Sequence, residues 1–241
     1  MAGTIKLYLD DDHCFETDAS VIAIKADALA FDRTCFYPGG GGQPSDEGRA
    51  SLGNGQVLEI ASVYEDAEAR IWHVGQDTAP PDLLGARVRL ALNREKRIVL
   101  SRYHTVLHIL NTIALRDHAA WITGAQIGTD YSRIDFKWDG FSPAVCTEVE
   151  AKANALIEAN HALKSFSISE EEFAKRPDLL RTLEVRPPVV NGHVRVVAIA
   201  GFDEQACGGT HVLATKEIGR LSIFRSENKG RINKRLYVRL S

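Results

Sequence analysis

The sequence predicts an α+β fold, with a small N-terminal β-barrel domain over residues 1–92 followed by a mixed α/β domain over residues 93–241. Three observations carry that expectation. The first 90 or so residues break into short runs, TIKLYL, SVIAIKA, ALAFDR, QVLEIASVY, ARIWHV and ARVRLAL, separated by Gly, Pro and Asp turns, the pattern of a small barrel or sandwich. At Asn93 the apolar period changes to that of a helix. The 241 residues exceed one ordinary domain and leave room for two cores.

Asn93 is a good N-cap, and Ile98, Tyr103, Val106, Leu110 and Ile113 recur at helical spacing up to about Arg116. YSRIDFKW alternates as a strand, after which Ser142-Pro143 forms a cap and first-turn pair opening a helix from Ala144 to Leu163. A short helical EEFAKR and a Pro187-Pro188 break lead to VRVVAIAGF, an apolar run suited to a buried strand. RLSIFRSE then pairs with RINKRLYVRL across Asn228-Lys229-Gly230. The longest loops are the Gly-rich one at 38–48 and the one around Cys207, and long loops of this kind carry function.

Composition narrows the class. With 44% hydrophobic and 25% charged residues the chain reads as a globular protein, and no apolar run approaches the roughly 18 residues of a membrane span, so no membrane role is expected. The start, MAGTIKLYLDDDH, lacks the basic and apolar segments of a secretory signal, and a cytoplasmic location is expected. Cysteines 14, 35, 146 and 207 have no paired close spacing and are expected as thiols. The net charge of -3 is uneven. From Lys216 to Arg239 eight Lys or Arg face Glu217 and Glu227, a local balance of +6 that leaves -9 elsewhere.

Two spaced pairs point to a metal. His104 and His108, in HTVLH, sit four apart on the predicted helix, so their imidazoles project from one face a turn apart. Cys207 and His211, in ACGGTH, flank Gly208-Gly209, whose flexible backbone lets the loop fold back on itself. Three imidazoles and one thiolate suit zinc better than the oxygen-seeking magnesium or calcium. Thr105 stands where a zincin helix carries glutamate, which disfavours that mechanism. Either pair alone is common by chance, and four protein ligands describe a closed structural site as readily as a catalytic one. His13, His73, His118, His161 and His193 lack comparable partners and receive no role.

HTVLHIL, RIDF, ACGGTHVLATKEIG and the KGRINKRL tail, in that order, resemble the editing domain of alanyl-tRNA synthetase over residues 93–241. FYPGGGGQPSDEG is similar to the Gly-rich element that precedes that domain, and nothing resembles the synthetase's ATP-binding domain. The chain therefore resembles the freestanding AlaX-type alanyl-tRNA editing proteins, in their medium-length form. That resemblance implies deacylation of tRNA(Ala) carrying serine, and in some members glycine, with His104, His108, Cys207 and His211 as zinc ligands. It also implies a pocket threonine after a Trp that distinguishes serine from alanine, and Thr123 in Trp121-Ile122-Thr123 is the candidate, one position beyond the alignment.

The physical need is clear: a site that charges alanine rejects a small isostere weakly, and a second hydrolytic sieve corrects it. FYPGGGGQPSD lacks the Lys-Ser/Thr ending of a P-loop, so Gly39, Gly40, Gly41, Gly42 and Gln43 are expected to touch the aminoacylated CCA end rather than a nucleoside triphosphate. Lys229, Arg231, Lys234 and Arg235 are the candidates for acceptor-stem phosphates. A tRNA-binding module with structural zinc, and a metallohydrolase acting on a small ester or amide, are the competing readings. The sequence leaves the oligomeric state open.

Overall fold

The computed structural model describes residues 3–75, 81–181 and 187–241. The chain divides into two compact units, one of residues 1–40 and 44–98, the other of residues 41–43 and 99–241.

Among the described residues the first unit holds eight strands: β1 (Ile5–Lys6), β2 (Glu16–Ile24), β3 (Ala28–Phe31), β4 (Arg33–Thr34), β5 (Gly48–Leu52), β6 (Val57–Glu65), β7 (Ile71–Gly75) and β8 (Arg87–Leu92). Six of them close a barrel in the order β2-β3-β7-β6-β5-β8, which leaves no free edge among them. Val21, Phe31, Phe36, Ile60, Val63, Ile71, Val88 and Leu90 fill the interior. TIKLYL is not the single strand the sequence suggests. Only Ile5–Lys6 pairs, in parallel with β4, and Leu7–Leu9 winds into a 3-10 turn because Asp10 and Asp11 both return their N–H groups to the Leu7 carbonyl. The turn buries Tyr8, whose ring meets Tyr37 edge-on at 5.4 Å.

Helix α1 (Arg94–His118) starts where the sequence places it: Asn93 Oδ1 accepts the Lys96 N–H at 3.1 Å, an N-cap bond. From Val99 onward it belongs to the second unit. There Leu100, Val106, Leu107, Ile109, Leu110, Ile113 and Ala114 are all buried, so most of its circumference is core. Strands β9 (Trp121–Gln126) and β10 (Ser132–Lys137) follow, then helix α2 (Pro143–Glu158), strand β11 (Leu163–Ser169), helix α3 (Glu170–Ala174), and strands β12 (Val189–Val190), β13 (His193–Ile199), β14 (Asp203–Ala206), β15 (Leu221–Asn228) and β16 (Asn233–Leu240). Among the described residues these strands form two sheets, one ordered β15-β16-β10-β9, the other β11-β13-β12 with β14 also on β13.

Helix α2 is capped by Ser142, whose hydroxyl accepts the Val145 N–H, but it ends five residues before the expected Leu163. Asn160 adopts a left-handed φ of 56°, a conformation that stops a helix, and Leu163 instead opens β11 against β13. Helix α3 carries a full capping box, with Ser169 and Glu172 each satisfying the other's backbone N–H. The core of this unit joins α1 and α2 to the inward faces of β10, β15 and β16 through Ile134, Phe136, Leu221, Leu236 and Val238.

Candidate metal centre

Helix α1 presents His104 and His108 one turn apart, and the loop after β14 brings Cys207 and His211 to them. The ring centroids of the three histidines lie 4.5 to 5.0 Å apart. One donor atom from each of the four residues lies within 4.8 Å of the others, so the cluster could hold a metal ion. His104 and His211 are buried, whereas His108 and Cys207 are partly open to solvent. Cys207 Sγ stands 3.5 Å from Nε2 of both His104 and His211.

The surrounding hydrogen bonds fix which imidazole nitrogen faces the cluster. Gln43 Oε1 has no proton to give, so at 2.7 Å it accepts from His104 Nδ1–H, leaving the Nε2 lone pair toward Cys207. The same oxygen accepts the Thr210 N–H at 3.2 Å, while Gln43 Nε2 donates to Thr210 Oγ1 at 2.9 Å. Thr105 does the equivalent for His211. Its hydroxyl donates to the Ser101 carbonyl at 2.8 Å and therefore accepts from His211 Nδ1 at 3.1 Å. Thr105 occupies the position that a zincin gives to glutamate, and here it orients a ligand instead. Both bonds point the two Nε2 atoms inward.

The Cys207 loop is held from behind. Arg195 on β13 donates to the carbonyls of Cys207 and Gly209 at 3.1 and 2.7 Å, and the Cys207 N–H returns to the Arg195 carbonyl. The Gly209 N–H lies 3.4 Å from Cys207 Sγ, a donor suited to a thiolate. Gly209 has no substitute here, because a Cβ built on it would overlap the His104 ring. Gln205 adds a brace from β14, donating to the His108 carbonyl and to Thr112.

Electrostatics favours neutral imidazoles. Burial, and then the Arg195 guanidinium, pushes His104 down to about 3. His108 and His211 are also held well below the usual histidine range, burial first and neighbouring histidine charge next. A neutral imidazole is the form that binds a metal.

The other sequence candidates sit in the Gly-rich loop, on β9 and in the C-terminal hairpin. Gly39, Gly40, Gly41 and Gly42 have φ of 89°, 137°, 58° and 86°, a consecutive left-handed run suited to glycine alone. Gly41, Gly42 and Gln43 belong to the second unit, where a Cβ on Gly42 would come 2.5 Å from the Ala125 carbonyl oxygen. Thr123 is exposed at a bulge where the β9–β10 register slips, opposite no single partner residue. In the C-terminal hairpin Arg231 is exposed and Lys229 lies 3.3 Å from Glu227. Lys234 is buried, its Nζ donating to the Gly230 and Arg231 carbonyls. Arg235 makes a two-pronged contact with Asp135 at 2.6 Å. Ser101, Thr105, Arg195 and Gln205 were invisible as participants in the sequence, since hydroxyl, amide and guanidinium side chains carry no ligand spacing.

Comparison with known proteins identifies the family. Residues 194–237 match the family model described as the threonyl and alanyl tRNA synthetase second additional domain. The chain is 34% identical over 239 residues to the alanyl-tRNA editing protein AlaX-M of Methanosarcina acetivorans, covering 97% of this chain and 98% of that one. It is 31% identical over 234 residues to the AlaX-M of Saccharolobus solfataricus, covering 97% and 98%. An alanine–tRNA ligase of Korarchaeum cryptofilum is 34% identical over 223 residues, which are 91% of this chain and 24% of the ligase. No helix among the described residues is long and apolar enough to cross a membrane. The full-length match, together with a His/His/Cys/His cluster at the positions where the motifs fall, places this chain in the AlaX-M family of alanyl-tRNA editing proteins.

Proposed function

We propose that this chain is a cytoplasmic aminoacyl-tRNA deacylase that acts in trans on tRNA(Ala) carrying serine, with glycine as a second substrate. We assign the chemistry to residues 93–241 and a supporting role to the barrel of residues 1–92 with its Gly-rich loop. The observation that carries this reading is the convergence of His104, His108, Cys207 and His211 in a chain that matches the editing proteins along its whole length.

The donor set fits zinc. In a tetrahedral site with Zn–S near 2.3 Å and Zn–N near 2.05 Å, sulfur and nitrogen ligands are separated by about 3.5 Å. Cys207 Sγ lies 3.5 Å from each of two histidine Nε2 atoms. Zinc bound there supplies Lewis acidity to polarise an ester carbonyl or activate a water. Gln43 and Thr105 hold the imidazoles in the tautomer such a site requires.

Thr123 is our candidate for the contact that reads the serine hydroxyl. A polar partner that substrate docking buries and alanine would leave unpaired costs roughly 1 to 3 kcal/mol, enough to spare correctly charged tRNA. The glycine run at 39–42 allows close backbone approach by the CCA end, with Gln43 shared between that loop and His104. Lys229 and Arg231, the accessible cations of the hairpin turn, take the phosphate-neutralising role; Lys234 and Arg235 support it from within the turn and the sheet.

Four protein donors within 4.8 Å also complete a closed set, which favours a second reading, a tRNA-binding module with structural zinc. One experiment separates them: hydrolysis of Ser-tRNA(Ala), Gly-tRNA(Ala) and Ala-tRNA(Ala), beside a His104→Ala His108→Ala variant and a metal assay. Loss of serine with alanine spared, abolished in the variant, is expected. No hydrolysis of any ester by metal-loaded protein leaves the binding module.

A further inference from the structure

The sheet β15-β16-β10-β9 has one apolar face against α1 and α2, carried by Ile134, Phe136, Leu221, Leu236 and Val238. Its other face is not a bland polar surface. The register places Arg225, Tyr237 and Arg133 in one row across three adjacent strands. Two residues along β16, Arg239 occupies the same face beside Ser222. Phe224 and Tyr131 complete it: the rings of Tyr131, Phe224 and Tyr237 form a triangle with centroids 6.1 to 6.2 Å apart. Two of these rings are unusually open, Tyr131 at 47% and Phe224 at 44% exposure.

A bulge in β15 creates this arrangement. Ile223 pairs with Val238 and Arg225 with Tyr237, so Phe224 is the inserted residue. Simple alternation after Ile223 would send Arg225 into the core; the extra residue leaves both Phe224 and Arg225 outside. Guanidinium groups then lie over the rings, Arg225 at 5.0 Å from the Tyr237 centroid and Arg239 at 4.7 Å from that of Phe224.

The charge of the face identifies its partner. Arg133, Lys137, Arg225, Arg235 and Arg239 stand against Asp135 and Glu227, five cations to two carboxylates, on a chain whose net charge is -3. Both carboxylates are already engaged, Asp135 by Arg235 and Glu227 by Arg225, Lys229 and the Tyr237 hydroxyl. Among the described residues no ion pair joins Arg133 or Arg239 to a carboxylate. Exposed aromatic rings interleaved with guanidinium groups offer unpaired bases a stacking platform and phosphates their counter-charge.

We propose that this face, built from Tyr131, Arg133, Phe224, Arg225, Tyr237 and Arg239, is an RNA-docking surface that holds the tRNA through phosphates and at least one unstacked base. The proposal rests on the deacylase reading for its partner and adds the place where that partner is gripped. Because the face lies across the sheet from α1, which carries His104 and His108, its contribution is to binding and not to the reacting atoms.

The test is the affinity of purified protein for uncharged tRNA(Ala) between about 50 and 200 mM salt, with Arg133→Ala Arg239→Ala and Tyr131→Ala Phe224→Ala double variants. The arginine variant is expected to bind at least tenfold more weakly, with the slope of log K against log salt reduced by about 2. The aromatic variant is expected to lose about tenfold with the slope unchanged. An Arg133→Lys Arg239→Lys control keeps the slope. In Ser-tRNA(Ala) hydrolysis the alanine variants raise KM and leave kcat and the hydrolysis of a small seryl ester unchanged. Unaltered affinity, slope and KM in both variants overturn the docking face and leave the deacylase reading standing. Weakened tRNA binding in the variants, beside a wild-type protein that binds tRNA and hydrolyses nothing, keeps the docking face and overturns the deacylase reading. Conversion of a dimer to a monomer with tRNA affinity intact overturns the proposal by assigning the face to self-association.

Discussion

His73 in the first unit and His104 in the second are both buried imidazoles, 2% and 6% exposed, and burial pushes each down to about 3. They differ in what their nitrogens meet. His73 Nδ1 donates to the Ile71 carbonyl at 3.2 Å and Nε2 accepts from Thr34 Oγ1 at 2.8 Å, with Phe31 and Phe36 packed edge-on against the ring. Both ends are consumed by the protein. His104 spends only Nδ1 in that way, on Gln43, and directs Nε2 to a thiol shared with His211. Burial and a depressed proton affinity therefore do not separate a structural histidine from a ligand; the disposition of the second nitrogen does.

The first unit extends the same habit to charge. Arg97, fully buried, makes a close two-nitrogen contact with Asp46 and donates to the carbonyls of Asp12 and Cys35, while Asp46 also accepts the Tyr37 N–H. Nothing in that network awaits a ligand. Arg97→Ala strands a buried carboxylate, and a loss of about 3 to 5 kcal/mol in unfolding free energy is expected, read by urea denaturation of the metal-free protein. A loss under 1 kcal/mol would show that water reaches Asp46 and that the network is open.

Gln43→Ala probes the other side of the contrast. The fold should persist, and zinc affinity measured by chelator competition should fall about 10- to 100-fold, as for other partners that orient a ligand. Unchanged affinity would reduce Gln43 to a loop contact. A third expectation concerns pH, where the effect accumulates gradually. A neutral, buried His73 stabilises the fold fully above about 6.5, its ordinary value, and progressively less as pH falls toward 3, by up to about 1.4 kcal/mol per pH unit. His73→Gln should flatten the acid limb of stability against pH by that slope. An identical limb would place the acid sensitivity in other groups.

The sequence made some of this legible and hid the rest for identifiable reasons. His104 and His108 are readable as a pair because α1 enforces their spacing, and Asn93 announces the start of that helix. Gln43 stands 61 residues before His104, so its contact with Nδ1 leaves no periodic trace, and the Gly-rich loop suggested a substrate contact instead. Arg97 and Asp46, 51 residues apart, are equally silent. The sequence pattern extends helix α2 beyond its observed end because EAKANALIEANHAL favours helix throughout, and the left-handed Asn160 divides it from β11. β11 and β14 escaped because LKSFSIS and DEQA are short and largely polar, and they form by pairing with the apolar β13. Bulges defeat reading altogether: neither Thr123 nor Phe224 shows in its own sequence that it is the extra residue of its strand.

Gly209 gives the metal centre a mode of failure that spares every donor. The backbone of the Cys207 loop lies so close to the His104 ring that one added methyl group and the imidazole would claim the same volume. A methyl there must displace the ring from its bond to Gln43 or lift Cys207 and His211 away from α1. The four ligands would all survive by name, yet the point at which they meet would be gone.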